Sequence, residues 1–313
     1  MKVGERGLTR EHLRSSPTLL SQSKRRVIAA LIEARGEVAK AAKLAGVSRQ
    51  YVYEVIGKLR GRGFKIRAFP SLTALGRAFM VFTKADEVVP MRDLAVMKLV
   101  VYRFDSMKEM AILYVVPGDR VLGFSSSLPP QARVYEVVDV MPSAPWMKLA
   151  EVRPEGGEGF QIPPRVDLDP IDREIIVRVY EDYMRPLSTS IPGLSKSVIS
   201  YHYRRHVKPI LRVFLDPCPR GLYPRPLILA AVEAESEGWL KAVMKSKEVY
   251  IAMVRPDLHS AFVLLDVENP FELLKRVAEA VEKGVLGLRM NLVGYVDHLM
   301  SSKLSLPAAF KGV

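Results

Sequence analysis

The chain has 313 residues, of which 49% are hydrophobic and 26% charged, a composition that excludes a disordered or fibrous protein. Its single cysteine excludes an internal disulfide, and its longest apolar runs fall far short of the ~20 residues of a membrane helix. At roughly 150 residues per domain, the length predicts about two folded units. We therefore expect a cytoplasmic, multi-domain protein that does not enter a membrane.

The positive charge is concentrated at the N-terminal end. The formal net charge is +13, and residues 1–70 carry 16 Lys and Arg against 5 Asp and Glu, a net charge of +11. Residues 165–217 have a net charge of only +2, from 9 basic and 7 acidic side chains. A local basic excess of this size is typical of a module that binds a polyanion such as nucleic acid.

The first 70 residues predict three helices and a strand. Apolar residues at helical spacing predict helices over 23–35, 37–44 and 49–60, and alternation predicts a strand over 64–69. Ser48 occupies the N-cap position of the third helix. The apolar stripe of that helix consists of Val52, Val55, Ile56 and Leu59. This order is typical of a winged helix-turn-helix.

The rest of each half predicts an α+β domain. In the first half, strands are predicted at 77–83, 100–104, 110–116 and 133–141, with helices at 91–99 and 120–128. In the second half, the same strand-helix-strand-strand-helix-strand order is predicted at 227–233, 239–245, 249–254, 261–267, 271–283 and 288–296. This is the order of a ferredoxin-like domain, an antiparallel sheet with two helices on one face.

The two halves are interpreted as copies joined by a linker. Glu151–Arg165 is rich in glycine and proline, which predicts an extended connection. Gly46–Tyr53 aligns with Gly193–Ser200 at an offset of 147, and further pairs follow in the same order. The predicted domains are an N-terminal arm (1–22), a winged helix-turn-helix (23–70), a ferredoxin-like domain (71–149), the linker (150–165), a second winged helix-turn-helix (166–217), a second ferredoxin-like domain (218–305) and a tail (306–313).

Two segments of the second half carry a family resemblance. Leu168-Asp-Pro-Ile-Asp-Arg-Glu-Ile-Ile176 is similar to the Leu-Asp-x-x-Asp-x-x-Ile-Leu signature that opens the leucine-responsive regulator (Lrp/AsnC) family of archaeal and bacterial transcription factors. Gly193-Leu-Ser195 resembles that family's turn into its third helix. The resemblance covers nearly the whole chain as two copies, whereas typical members have one. It implies a transcription regulator whose ferredoxin-like domains pair through their sheets.

The resemblance also raises the question of an effector. In that family, amino acids bind at the paired sheets, near segments that correspond here to 104–109 and 255–260. Neither segment has the family's Gly-x-Tyr-Asp-like pattern. The sequence therefore leaves a small-molecule effector open, and it favours two sheets that pack on each other within one chain.

The third helix of the first half is the predicted reader of double-stranded DNA. Arg49, Gln50 and Tyr53 project from its first turns, where a recognition helix meets base edges. Arg pairs with guanine and Gln with adenine. The helix end and the wing strand supply the candidate phosphate contacts Lys58, Arg60, Arg62, Lys65 and Arg67. An N-terminal arm with Arg6, Arg10 and Arg14 is a further candidate for non-specific contact.

The second copy has a weaker DNA-binding pattern. Its candidate contacts are Lys196, Ser197, Ser200, Arg204 and Arg205. Where the first copy has Val55 and Leu59, it has His202 and His206, which share one helical face at a spacing that can bind zinc. Because no third ligand is evident in the sequence, the two histidines are interpreted as packing residues. The module is predicted either to bind DNA or to contact protein.

No catalytic constellation is found, so we expect neither an enzyme nor a cofactor. Gly57-Lys58 has Val52 where a phosphate-binding loop needs its first glycine and Leu59 where it needs Ser or Thr. Gly123-Phe-Ser125 lacks the second glycine of a nucleophile elbow. The predicted function is sequence-specific transcription regulation, with a second copy of the chain as a further candidate partner. The alternatives are an architectural DNA-binding protein with little sequence preference and a ligand-sensing or assembly scaffold.

Overall fold

The computed structural model describes most of the chain between residues 21 and 311. The described residues are 21–34, 36–61, 65–87, 90–105, 107–142, 153–154, 160, 162, 166–184, 187, 191, 193–216, 227–246, 248–267, 269–297, 301, 305–306 and 308–311. Within these ranges, every helix is too short or too polar to span a bilayer.

The first half begins with three helices and a strand and continues with a mixed α+β segment. Its elements are α1 (Gln22–Glu33), α2 (Val38–Ala45), α3 (Arg49–Arg60), β1 (Lys65–Pro70), α4 (Leu72–Leu75), β2 (Arg77–Lys84), β3 (Ala95–Arg103), β4 (Lys108–Val116), α5 (Val121–Ser127), β5 (Arg133–Val137) and β6 (Asp139–Pro142). Short 3-10 turns at Arg92–Leu94 and Gly118–Arg120 precede β3 and α5.

The second half follows a similar order. Its elements are α6 (Pro170–Glu181), α7 (Lys196–His202), a π turn (Tyr203–Val207), α8 (Lys208–Ile210), β7 (Leu211–Asp216), β8 (Leu227–Ala234), α9 (Glu237–Met244), β9 (Val249–Val254), β10 (Ser260–Leu265), α10 (Pro270–Glu282), β11 (Leu288–Asp297) and α11 (Ala308–Lys311).

Nine antiparallel strands form one sheet in the order β5-β2-β4-β3-β11-β8-β10-β9-β6. The strands of the first half therefore lie in the order fourth, first, third, second, and β11-β8-β10-β9 repeats that order. Only Val138 separates β5 from β6, at the two ends of the sheet, and its N–H donates to the carbonyl of Val254 at 2.8 Å. The sheet thus continues from one end to the other through a strand that is divided at Val138, and its two end strands are consecutive in the chain.

The two seams between the halves are equivalent. In one seam β3 pairs with β11, the second strand of the first half with the last strand of the second half. In the other seam β9 pairs with β6, which reverses those roles. The inner faces meet as a shared core, in which the rings of Phe82 and Phe262 lie 5.2 Å apart. The strands of the two halves are thus joined by backbone pairing and by side-chain packing.

A separate two-stranded ribbon of β1 and β7 joins the helical parts of the two halves. Its register pairs Arg67 with Phe214, and these two residues are 147 positions apart, the offset found in the sequence. A residue that pairs with its own counterpart marks a local two-fold axis. In agreement with this symmetry, α1 packs on β7 and α6 packs on β1.

Helices cover the outer faces of the sheet. In the first half, Phe124 of α5 stacks on Phe79 at a centroid distance of 5.3 Å and meets Tyr114 edge-on at 5.0 Å. In the second half, α9 and α10 bury Leu240, Val243 and other apolar residues against the sheet. Each sheet is therefore apolar on both faces.

A buried ion pair connects the ribbon to the closing strand. Asp139, 1% exposed, accepts hydrogen bonds from Arg212 at 3.1 and 3.2 Å, from the Ser71 hydroxyl at 3.1 Å and from the Val140 N–H at 2.9 Å. Desolvation raises the pKa of Asp139, and the nearby Arg212 opposes that rise. Three parts of the chain thus meet at one carboxylate.

One predicted helix, 91–99, is wrong. Only Arg92–Leu94 forms a 3-10 turn, and the residues after it belong to β3. Because β3 is buried on both faces, its apolar residues do not alternate, and a continuous apolar run does not separate a strand from a helix. The predicted helix 49–60 and strand 249–254 are confirmed residue for residue, whereas the predicted strand 133–141 is divided at Val138.

The predicted linker lies mostly outside the described residues. Of the residues 151–165, the structure describes 153, 154, 160 and 162. Phe160 packs against the outer core of the second sheet, where the Lys241 ammonium lies 5.2 Å from its ring. The predicted N-terminal arm lies outside the described part except for its last two residues.

Replacing Arg212 with Met should destabilise the protein by about 3–5 kcal/mol, because it leaves a buried carboxylate without its main cation. The loss should be smallest at acidic pH and should grow as the pH rises, since protonated Asp139 is neutral and the substitution removes the group that opposes the rise in its pKa. The double variant R212M/D139N should recover most of the stability, as measured by urea unfolding. A loss in R212M below about 1 kcal/mol, the size for an exposed pair, would contradict this role.

Gly36→Ala should cost about 1–3 kcal/mol more in unfolding free energy than Gly46→Ala. Both glycines have left-handed φ, at 75° and 63°, so both substitutions carry the same backbone strain. A Cβ at Gly36 would lie 1.9 Å from the Tyr183 ring, whereas a Cβ at Gly46 meets no atom within 4 Å. Tyr183 is held by a 3.0 Å hydrogen bond to the Tyr203 hydroxyl. Equal losses would show that Tyr183 does not pack on Gly36.

Candidate nucleic-acid interface

The turn into α3 is set by local backbone chemistry. Gly46 ends α2 in the left-handed region, with φ at 63°, and its N–H closes the helix on the carbonyls of Ala42 and Lys43. Ser48 then caps α3 by accepting a hydrogen bond from the Tyr51 N–H at 3.1 Å. These two residues fix the direction in which α3 leaves α2.

One face of α3 is buried and the other is open. Val52, Val55, Ile56 and Leu59 are at most 4% exposed and belong to the common core. Arg49, Gln50 and Tyr53 are exposed on the opposite face, where Tyr53 is 59% exposed. Among the described residues, the side chains of these three form no hydrogen bond or ion pair. They are therefore available to a ligand that approaches this face.

The candidate phosphate contacts fall into two groups. Lys58 is exposed on α3. Arg60 instead forms an ion pair with Asp182 at 2.8 Å, and the Arg67 guanidinium lies 5.1 Å from the ring centre of Tyr180. Both arginines thus face the second half of the chain. Of the other two candidates, Arg62 lies outside the described residues. The backbone of Lys65 lies opposite that of Asp216 in the register of the ribbon.

The helix that begins at Lys196 starts in the same manner as α3. Ser195 caps it by accepting a hydrogen bond from the Val198 N–H at 3.3 Å. Four of its five candidate contacts are exposed and Ser200 is half-buried; the exposed ones are Lys196, Ser197, Arg204 and Arg205. Beyond His202 the helix changes to the π turn, so Arg204 and Arg205 lie on a different backbone path from the end of α3.

Contacts across the ribbon fix the two helical parts relative to each other. The Ser71 N–H donates to the Ile210 carbonyl at 2.7 Å, and the Tyr183 N–H donates to the Ile66 carbonyl at 3.3 Å. An ion pair between Lys208 and Glu37 adds to them. The α3 face and the α7 face are therefore presented by one structural unit.

In each of the two segments predicted to correspond to an effector site, 104–109 and 255–260, an aspartate forms hydrogen bonds with neighbouring residues. The Arg103 guanidinium hydrogen-bonds to Asp105 and lowers the pKa of that carboxyl. In the other segment, Asp257 accepts from the Ser260 hydroxyl at 2.6 Å and from its N–H at 2.8 Å. Both carboxylates thus hold the turns in which they lie.

The sequence interpretation missed two carboxylates beside the paired histidines. Asp169 and Asp172 belong to the first turn of α6, about thirty residues before His202 and His206, and the structure brings all four together. Both aspartates are visible in the Leu168–Ile176 segment of the sequence. Their spacing from the histidines along the chain does not show that α6 packs against the helix that carries the histidines.

Comparison with protein-family models, with curated proteins and with solved structures finds no match to this chain. The function is therefore inferred from the geometry of the molecule itself. The features that bear on it are the exposed face of α3, the basic net charge of residues 1–70 and the placement of a second, similar helix.

Proposed function

We propose that this protein is a sequence-specific DNA-binding transcription regulator built from two copies of a winged helix-turn-helix and a ferredoxin-like domain. Two observations support the domain assignment: the three helices followed by a strand in the first half, and the strand order fourth, first, third, second that occurs twice in the sheet. On this proposal the two copies form a dimer-like unit within one chain.

The exposed N-terminal half of α3 carries the functional proposal. A recognition helix enters the major groove with its first turns against the base edges, and these turns hold Arg49, Gln50 and Tyr53. Arg49 is suited to the O6 and N7 of guanine, and Gln50 to adenine. The net charge of +11 on residues 1–70 supplies the attraction to the phosphate backbone.

The second module has a separate place in the proposal. Its polar residues Lys196 and Ser197 occupy the positions of Arg49 and Gln50, but its net charge of +2 gives little attraction for DNA. We assign it a supporting contact at most. The same low charge favours the alternative that this module binds a protein partner, as in an assembly scaffold.

An architectural protein is the alternative within the DNA-binding class. The basic N-terminal segment would serve it equally well, because phosphate contacts carry no sequence information. The two functions differ in what the α3 face does, so substitutions on that face separate them.

Replacing Arg49 or Gln50 with Ala should weaken binding to the preferred DNA site by about 1–3 kcal/mol and relax the preference at one base pair. The preferred site is first selected from a random pool with the full chain. Affinities for that site and for scrambled DNA are then measured by fluorescence anisotropy. The matched controls are K196A and S197A, which alter the equivalent positions of the second module.

The pattern of losses decides between the alternatives. A specific loss in R49A and Q50A, together with a small effect of K196A and S197A, supports base recognition by α3. Equal losses on selected and scrambled DNA would contradict it and favour the architectural function. A chain that binds neither the random pool nor scrambled DNA would contradict both DNA-binding functions.

Lys58→Ala should reduce the salt dependence of DNA binding, whereas Arg67→Ala should not. Lys58 is exposed, and loss of one phosphate contact lowers the slope of log K against log salt by about 1. Arg67 is directed at Tyr180 across the ribbon, so its replacement should lower the unfolding temperature instead. Anisotropy titrations at several salt concentrations and thermal unfolding measure both effects. A slope that falls in R67A and stays constant in K58A would reverse these assignments.

A further inference from the structure

The side chains of two aspartates and two histidines converge inside the second helical module. Asp172 has no solvent exposure, and its carboxylate oxygens lie 3.0 Å from the Nδ1 atoms of both His202 and His206. Asp169 places an oxygen 3.3 Å from the His202 Nδ1. One ligand atom from each of the four residues lies within 4.8 Å of all the others.

We propose that Asp169, Asp172, His202 and His206 form a binding site for a divalent transition-metal ion of the zinc class. Zinc binds imidazole nitrogen and carboxylate oxygen at about 2.0–2.2 Å with tetrahedral geometry, which places neighbouring ligand atoms about 3.3 Å apart. Here Asp172 Oδ1 lies 3.0 Å from the His202 Nδ1 and 3.2 Å from the His206 Nδ1, Asp169 Oδ2 lies 3.3 Å from the His202 Nδ1, and the other pairs of ligand atoms lie within 4.8 Å. Two imidazoles in the set disfavour calcium and magnesium, which prefer oxygen ligands alone.

The ligands are held in place by hydrogen bonds from the backbone. The Asp172 N–H donates to Asp169 Oδ1 at 2.8 Å, and the Asp169 N–H donates to Asp172 Oδ2 at 3.3 Å. This reciprocal cap orients both carboxylates before any ion binds. The Tyr201 ring packs against both imidazoles, with centroid distances of 5.5 and 5.6 Å. Outer contacts of this kind fix ligand orientation at metal sites.

The first helical module provides a comparison within the same chain. At an offset of 147, the counterparts of His202 and His206 are Val55 and Leu59, which are 1% and 2% exposed. The positions of the two histidines are thus filled there by apolar residues. A buried polar group is often replaced by apolar residues without loss of stability, so packing alone does not require the two histidines. A bound cation gives them a role and compensates the buried carboxylate.

The backbone at the site is unusual as well. The π turn Tyr203–Val207 directly follows His202 and contains His206, and the Lys208 N–H closes it on the Tyr203 carbonyl. Single π turns within helices occur frequently at functional sites. Here the wider turn accompanies the approach of His206 to the carboxylate of Asp172. A bound ion would therefore link the start of α6 to the helix that carries both histidines.

Zinc binding by the full chain, purified without a polyhistidine tag and stripped with a chelator, tests the proposal. We expect one equivalent of zinc per chain in competition with a chromophoric chelator, and a rise in the unfolding temperature on adding zinc. With cobalt, the visible absorption should be that of a four-coordinate site. A protein that binds no zinc, or whose unfolding temperature is unchanged by it, would overturn the proposal and leave the cluster as hydrogen-bonded packing.

Two variants locate the site. H202V/H206L copies the apolar residues of the first module and should lose the zinc equivalent. D169S keeps a good helix cap but removes one ligand, so zinc affinity should fall at least about tenfold. His259, exposed and outside the cluster, gives the control H259A, which should bind like the parent chain. If H202V/H206L does not fold, D169S decides; unchanged zinc affinity in D169S, or retained zinc in a folded H202V/H206L, would overturn the site. The test uses no DNA, so its outcome is independent of the proposed function.

Discussion

Backbone pairing between the two halves is the constraint on which the rest of the molecule depends. Each four-strand set taken alone would expose two edges, and exposed edges recruit further strands. Here part of each edge is paired with the other half, through β3 with β11 and, beyond the end of β5, through β6 with β9. The chain passes from one half to the other at a single residue, Val138. The pairing of β5 with β2 is therefore directly connected to the pairing of β6 with β9. The halves are consequently joined by strand pairing at two seams, and the ribbon of β1 and β7 joins their helical parts.

The sequence predicts the elements that have one buried face and one exposed face. Helix α3 has one buried and one open face, so its apolar stripe and its serine cap determine its bounds. Strand β3 lies inside a sheet that is covered on both faces, so the alternation that identifies a strand is lost. The convergence of Asp172 with His202 and His206 depends on the crossing of two helices, and no spacing along the chain reports it. Local chemistry is therefore visible in the sequence, whereas contacts across the fold are not.

The two helical modules fix the helices that follow Ser48 and Ser195 through different interiors. In the first module, α3 is fixed by apolar side chains and presents a basic outer surface. In the second module, the corresponding helix is fixed through a buried carboxylate and two histidines, and its surroundings are nearly neutral. An apolar interface tolerates changes of its outer residues, whereas a polar cluster holds its helix through a few directional bonds. Under the proposed metal binding, an ion at this cluster would link the start of α6 to that helix.

This difference has a consequence for recognition under the proposed function. Identical subunits related by a two-fold axis bind palindromes, because the same residues face both half-sites. In this chain the ribbon keeps a local two-fold axis, yet Arg49, Gln50 and Tyr53 are matched by Lys196, Ser197 and Ser200. The backbone is symmetric and the contact surface is not. A single chain thus holds two unlike surfaces at a fixed spacing, and under the proposed function only the α3 surface needs to recognise bases.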